Sequence, residues 1–129
     1  MTQFKKLFIS LLIVFSLLIS FAMGALTSGL NYWFQPLVHI QISNQSGQPI
    51  KELKLLVKTA STQHEISFSS LENNKAIKAR FFVEGEGEYR LEATLANGQI
   101  ISSSQGYIES GSTVNELVQS NQITSKVSY

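Results

Sequence analysis

Apolar and polar positions follow two rhythms in this 129-residue chain. Residues 7–30 form one uncharged run rich in Leu, Ile, Phe and Val. From about residue 37 onward, apolar and polar residues alternate in short runs bounded by turn formers. The first rhythm predicts a single apolar helix. The second predicts an all-β domain.

Twenty-four helical residues span roughly 36 Å at 1.5 Å each, against a hydrocarbon core of about 30 Å. Lys5 and Lys6 precede the run, which points to a cytoplasmic N-terminus and an exported C-terminal part. Ser10, Ser16 and Ser20 fit such a helix, because a hydroxyl can bond the carbonyl of the preceding turn. Two fates remain open. As a signal peptide, the segment would be cut after Ala22-Met23-Gly24, where small residues occupy the positions a peptidase inspects. As an anchor, it would continue to Leu30 and meet Asn31-Tyr32-Trp33-Phe34, an aromatic cluster suited to a membrane interface. The length of the run and that cluster favour the anchor. Lys5 and Lys6 then mark one interface and Tyr32 and Trp33 the other.

In the second part, Val38, Ile40 and Ile42 share one face of a first strand. The turn Asn44-Gln45-Ser46-Gly47-Gln48-Pro49 follows, where Asn and Ser bond backbone locally and Pro fixes φ. Leu53, Leu55 and Val57 point inward on a second strand, and His64, Ile66 and Phe68 line a third. Ile77, Ala79, Phe81 and Val83 alternate on a fourth. Tyr89, Leu91, Ala93 and Leu95 alternate on a fifth, which ends in a type I′ hairpin signal at Asn97-Gly98. Its partner runs over about 99–108, and a last pair covers about 114–119 and 123–127. The expected fold is a small antiparallel β-sandwich, Ig-like or similar, of seven to eight strands behind one N-terminal transmembrane helix. The expected divisions are a cytoplasmic basic start (1–6), a transmembrane signal-anchor helix (7–30), an interfacial aromatic segment (31–36) and an exported domain (37–129).

Charge sharpens the division. Residues 51–129 hold 17 of the 19 charged side chains, and without Lys5 and Lys6 the formal charge is −1. A near-neutral domain offers no electrostatic footprint for nucleic acid. Cys and Asp are both absent, which removes disulfides, thiolate metal sites and thiol catalysis.

Little else carries chemistry. Gly85-Glu86-Gly87 opens like a phosphate loop, but Arg90 stands where a third glycine belongs and no helix follows. His39 and His64 are the only imidazoles, and neither has a neighbour in sequence that makes it a base or ligand. Glu84, Glu86 and Glu88 cluster at a turn, but calcium loops use Asp and Asn at close spacing. Asn44-Gln45-Ser46 fits the N-glycosylation pattern, with the turn itself as the simpler role. Leu56 and Phe82 are large apolar residues on otherwise charged strand faces and would form a docking patch if their strands were neighbours. Tyr107, in Gly106-Tyr107-Ile108-Glu109-Ser110-Gly111, completes the candidate interaction residues, with its hydroxyl expected on a backbone group.

The basic start, the apolar helix, the opening strand and turn at 38–47 and the stretch 106–111 together resemble uncharacterised small bacterial envelope proteins with one N-terminal helix and a β-sandwich. That resemblance covers nearly the whole chain and implies no activity. A type IV pilin would need a Gly just before the apolar helix and a Glu soon after that Gly, and Thr2-Gln3-Phe4-Lys5-Lys6 supplies neither. The functional expectation is a non-catalytic, membrane-tethered interaction or accessory module of the cell envelope, facing outward from the cytoplasmic membrane. Its partners would be the lipid bilayer and a membrane-proximal envelope protein, with no cofactor, no metal and no nucleic acid. The alternative is a secreted or periplasmic sandwich, cleaved near Gly24, that binds a glycan or lipid near Tyr107. A hydrolase built on His64 with a Ser and a Glu is the third and weakest reading.

Overall fold

A computed structural model describes residues 2–31, 33 and 36–129. The chain forms two compact units, residues 1–35 and 36–129.

The first unit is dominated by α1 (Gln3–Leu30), 28 residues long. Four consecutive side chains, Leu12, Ile13, Val14 and Phe15, are each more than half exposed. Successive helical residues point about 100° apart, so the helix is apolar on every side. It is long and apolar enough to cross a membrane or to serve as a signal sequence. The expected bonds from hydroxyls to the preceding turn are present at Ser10 and Ser20, which donate to the carbonyls of Lys6 and Ser16 at 3.0 and 2.9 Å. The helix begins at Gln3, not at residue 7, so Lys5 and Lys6 lie within it. Unbranched lysine stems lose little freedom in a helix, so a charge boundary need not be a structural one.

The second unit holds nine strands: β1 (Val38–Asn44), β2 (Ile50–Thr59), β3 (Gln63–Phe68), β4 (Ala76–Phe81), β5 (Glu86–Leu95), β6 (Ile100–Ser102), β7 (Gly106–Glu109), β8 (Thr113–Val118) and β9 (Ile123–Ser128). They make two sheets. Sheet A has the order β4-β1-β8-β9; sheet B has the order β3-β2-β5-β6, with β7 also on β5. The apolar inner faces of the two sheets share one core, in which Val38, Ile42, Leu53, Leu55, Leu91, Leu95, Ile108 and Val118 are fully buried. The arrangement is sandwich-like, and the inward residues of β1, β2 and β5 are those that the alternation predicts.

Three features depart from expectation. The pairing is not wholly antiparallel, because β1 runs parallel to β8 while pairing antiparallel with β4. The single strand expected over 99–108 is two, β6 and β7, both paired with β5. Between them three residues (103–105) face two (90 and 91), a one-residue bulge. Ser103 holds it, accepting at Oγ from the Leu91 N–H at 2.9 Å and donating its own N–H to the Leu91 carbonyl at 2.8 Å. Finally, the hairpin at Asn97-Gly98 is not type I′. Only Gly98 has a positive φ, +87°. Its N–H donates to the Leu95 carbonyl at 2.9 Å, and the Leu95 N–H donates to the Gln99 carbonyl at 2.8 Å. That is the three-residue loop in which one left-handed glycine follows a type I-like turn.

The turn after β1 is built around a buried side chain. Asn44 donates from Nδ2 to the carbonyls of Gln48 and Leu71 at 2.9 and 3.0 Å. Its Oδ1 accepts from the Ser46 N–H and hydroxyl at 3.0 and 2.7 Å. Asn44 is 0% exposed, so in the folded domain its amide is a structural hub and closed to a glycan. Asn44→Ala would orphan several of these groups. It should destabilise the domain by about 2–4 kcal/mol, measured by denaturant melts of the full chain in detergent micelles. A loss of only a few tenths would show that the hub is dispensable.

Candidate functional site

The most unusual group in the interior is a carboxylate. Along β8 the inward positions are Val114, Glu116 and Val118, and Glu116 is 2% exposed. Charged side chains are almost never this buried unless paired. Here the Tyr89 hydroxyl, on β5 of the other sheet, donates to Glu116 Oε1 at 2.6 Å. The Ser125 hydroxyl on β9 donates to Oε2 at 2.8 Å. Burial raises the Glu116 carboxyl above the usual range, and the two hydroxyl bonds partly oppose that rise. Tyr89 is raised as well, first by burial and then by the hydrogen bond to Glu116. The Tyr89 ring reaches this position by lying over Gly106, its register partner on β7. A Cβ on Gly106 would stand 2.3 Å from the ring. Gly106 and Tyr89 are apparent in the sequence only as separate features, and Glu116 does not stand out there. The available signal was its place in phase with Val114 and Val118.

The candidate patch does not assemble on one face. Leu56 is half-buried on the outer side of β2 in sheet B. Phe82 follows β4 at the edge of sheet A and is 47% exposed. Tyr107 is exposed on β7, and its hydroxyl contacts carboxylates where a backbone group was expected: Glu86 Oε2 at 2.8 Å and Glu109 Oε2 at 3.2 Å. The Glu86 bond in particular raises the tyrosine above its usual range. The Tyr107 ring also meets Tyr129, with centroids 5.9 Å apart. Of the residues expected at a membrane interface, Lys5 and Lys6 are exposed on α1 and Trp33 is exposed just beyond it. Tyr32 lies outside the described residues, as do Phe34 and Gln35 of the same segment. His64 is exposed on the edge strand β3. Among the described residues no group of three His, Cys, Asp or Glu could hold a metal.

A groove lies where no candidate was expected, on the outer face of sheet A. It has a volume of about 540 Å³ and crosses β4, β1 and β8. The registers place its outward residues in two rungs. One runs Arg80, His39, Thr113, Ser128, and the other Lys78, Gln41, Asn115, Lys126. Adjacent strands lie about 4.8 Å apart, so each rung extends roughly 14 Å. Both rungs carry cations or neutral polar groups and no carboxylate. Such a floor presents hydrogen-bond donors and positive charge to whatever lies on it.

No protein-family model matches this chain, and no curated protein matches it in sequence. The solved NMR structure of a protein from Eubacterium rectale is similar in fold. It covers 68% of this chain and 86% of that one at 12% identity, with a TM-score of 0.54. At that identity the likeness concerns the fold alone.

The Glu116 cluster yields two predictions. Because the folded state holds the Glu116 proton more tightly than the unfolded chain, its contribution to stability is full at acid pH. It falls as pH rises from the ordinary Glu range to the raised folded value. Glu116→Gln should match the wild type at acid pH and gain on it as pH approaches neutrality, read from denaturant melts at each pH. A wild type that gains on the variant over that interval would contradict this. Gly106→Ala should displace the Tyr89 ring and cost about 2–4 kcal/mol, with a much smaller cost in a Tyr89→Leu background. Equal costs in the two backgrounds would separate Gly106 from the ring.

Proposed function

We propose that the chain is a single-pass membrane protein whose helix α1 anchors a β-sandwich outside the cytoplasm. In this reading the sandwich serves as a non-catalytic interaction module. The observation that carries it is the exposure of apolar side chains on every side of α1, beside a domain with a separate core of its own. Such a helix is stable only where lipid or other apolar matter covers it. Lys5 and Lys6 at its start support a cytoplasmic N-terminus. The buried carboxylate supports a binding role over a catalytic one. Both Glu116 oxygens are engaged by hydroxyls inside the fold, one from Tyr89 across the sheets and one from Ser125 within its own sheet.

The tether is short. Seven residues (31–37) separate Leu30 from Val38, and seven extended residues reach at most about 25 Å. The module therefore works within a few nanometres of the bilayer, and its partners are membrane-proximal. Alkaline carbonate extraction followed by intact-mass measurement tests the proposal. The chain should stay with the membranes at its full 14.3 kDa. Release into the supernatant, or a mass shortened at Gly24, would instead mark a cleaved, exported protein.

A further inference from the structure

The two outer faces of the sandwich carry opposite charge. On sheet A the outward ladder positions include Lys78, Arg80 and Lys126 and no acid, a formal charge of +3 with His39 neutral. On sheet B the outward positions include six acids: Glu52, Glu65, Glu86, Glu88, Glu92 and Glu109. Lys51, Lys54, Lys58 and Arg90 also lie outside the core on these strands, so six acids against four bases leave −2. Several of the acids accept hydrogen bonds from neutral side chains, Glu86 and Glu109 from Tyr107 and Glu88 from Gln105, but few are paired with an opposite charge. Among the described residues Lys54 forms the salt bridges, to Glu52 and Glu65 at 3.6 and 3.7 Å. Lys78, Arg80 and Lys126 form none.

We propose that the outer face of sheet A docks onto the outer face of sheet B of a second copy of this chain, so that tethered copies assemble in rows. Charge complementarity selects this occupant. The cationic floor meets four carboxylates that have no salt bridge, Glu86, Glu88, Glu92 and Glu109, while Gln41, Thr113 and Asn115 supply neutral donors to them. The half-buried Leu56 adds apolar contact near the middle of the acidic face. A two-fold dimer through sheet A would set cations against cations, and one through sheet B would set acids against acids. The favourable contact joins unlike faces, and a head-to-tail contact propagates unless its rotation closes a ring. Membrane confinement favours it twice. All copies share one orientation across the bilayer, and the anchor raises their effective concentration. The row thus rests on the anchored reading, while the charge pairing itself does not.

The test uses full-length protein in proteoliposomes. The chain has no native cysteine, so Asn121→Cys in the exposed β8–β9 turn takes a donor or acceptor dye for energy transfer between copies. Wild-type transfer should fall about threefold or more between 50 mM and 500 mM salt, as screening shortens the reach of the charges. Lys78→Glu/Arg80→Glu should lose transfer among its own copies, and so should Glu88→Lys/Glu92→Lys. Mixing the two variants should restore transfer to within about twofold of wild type, because the intact cationic face of one meets the intact acidic face of the other. This restoration also shows that both variants are folded. Transfer that ignores salt and both substitutions, or a mixture that fails to recover, overturns the proposal. Carbonate extraction of the same vesicles reports the anchor separately. A protein that stays in the lipid without charge-dependent transfer would overturn the row and leave the anchor standing.

Discussion

The 2.6 Å hydrogen bond from the Tyr89 hydroxyl to Glu116 crosses the space between the two sheets. Several nearby features are arranged around it. The ring needs a flat bed, which Gly106 provides on the next strand. Immediately before Gly106 comes the one-residue bulge that divides β6 from β7. Glu116 needs a second donor to satisfy its other oxygen, and Ser125 supplies it from β9. An apolar pair of similar volume could hold the sheets equally well, since buried ionisable groups seldom add net stability. What the polar contact adds is direction. Only one offset between β5 and β8 brings the hydroxyl to the carboxylate, whereas leucines and valines tolerate small slips.

The strand alternation that fills the core also distributes the charges. Each inward apolar residue commits its neighbours to solvent, so the outward sequence of every strand becomes part of a shared surface. On β4, β1, β8 and β9 those residues are basic or neutral; on β2, β3, β5 and β7 acids outnumber bases. A formal charge near zero for the domain therefore conceals a separation across its thickness. Composition alone gives no hint of that separation, because charges are assigned to faces only after strands are assigned to sheets.

This marks the limit of what could be read from the residues in order. The inward sets Val38, Ile40, Ile42 and Tyr89, Leu91, Ala93, Leu95 were legible because period-two burial is local. The hub at Asn44 was legible as a turn, since its chemistry lies within a few residues. The parallel pairing of β1 with β8 was hidden, as it joins segments some seventy positions apart. The link from Tyr89 to Glu116 was hidden for the same reason, and a lone acid in an apolar run reads as an interruption of the pattern. Leu56 and Phe82 looked like neighbours in kind, but the sheet order separated them.

The placement of β1 has a mechanical consequence. It is the first strand of the domain, and it is an interior strand of its sheet. Six residue pairs hold it to β4 and six more hold it to β8. A pull applied at Val38 along the strand axis meets hydrogen bonds on both flanks. The bonds on both flanks then bear the force together in shear, with no free edge at which peeling could begin. A domain pulled by such a strand resists being drawn open far better than one pulled by an edge strand such as β9.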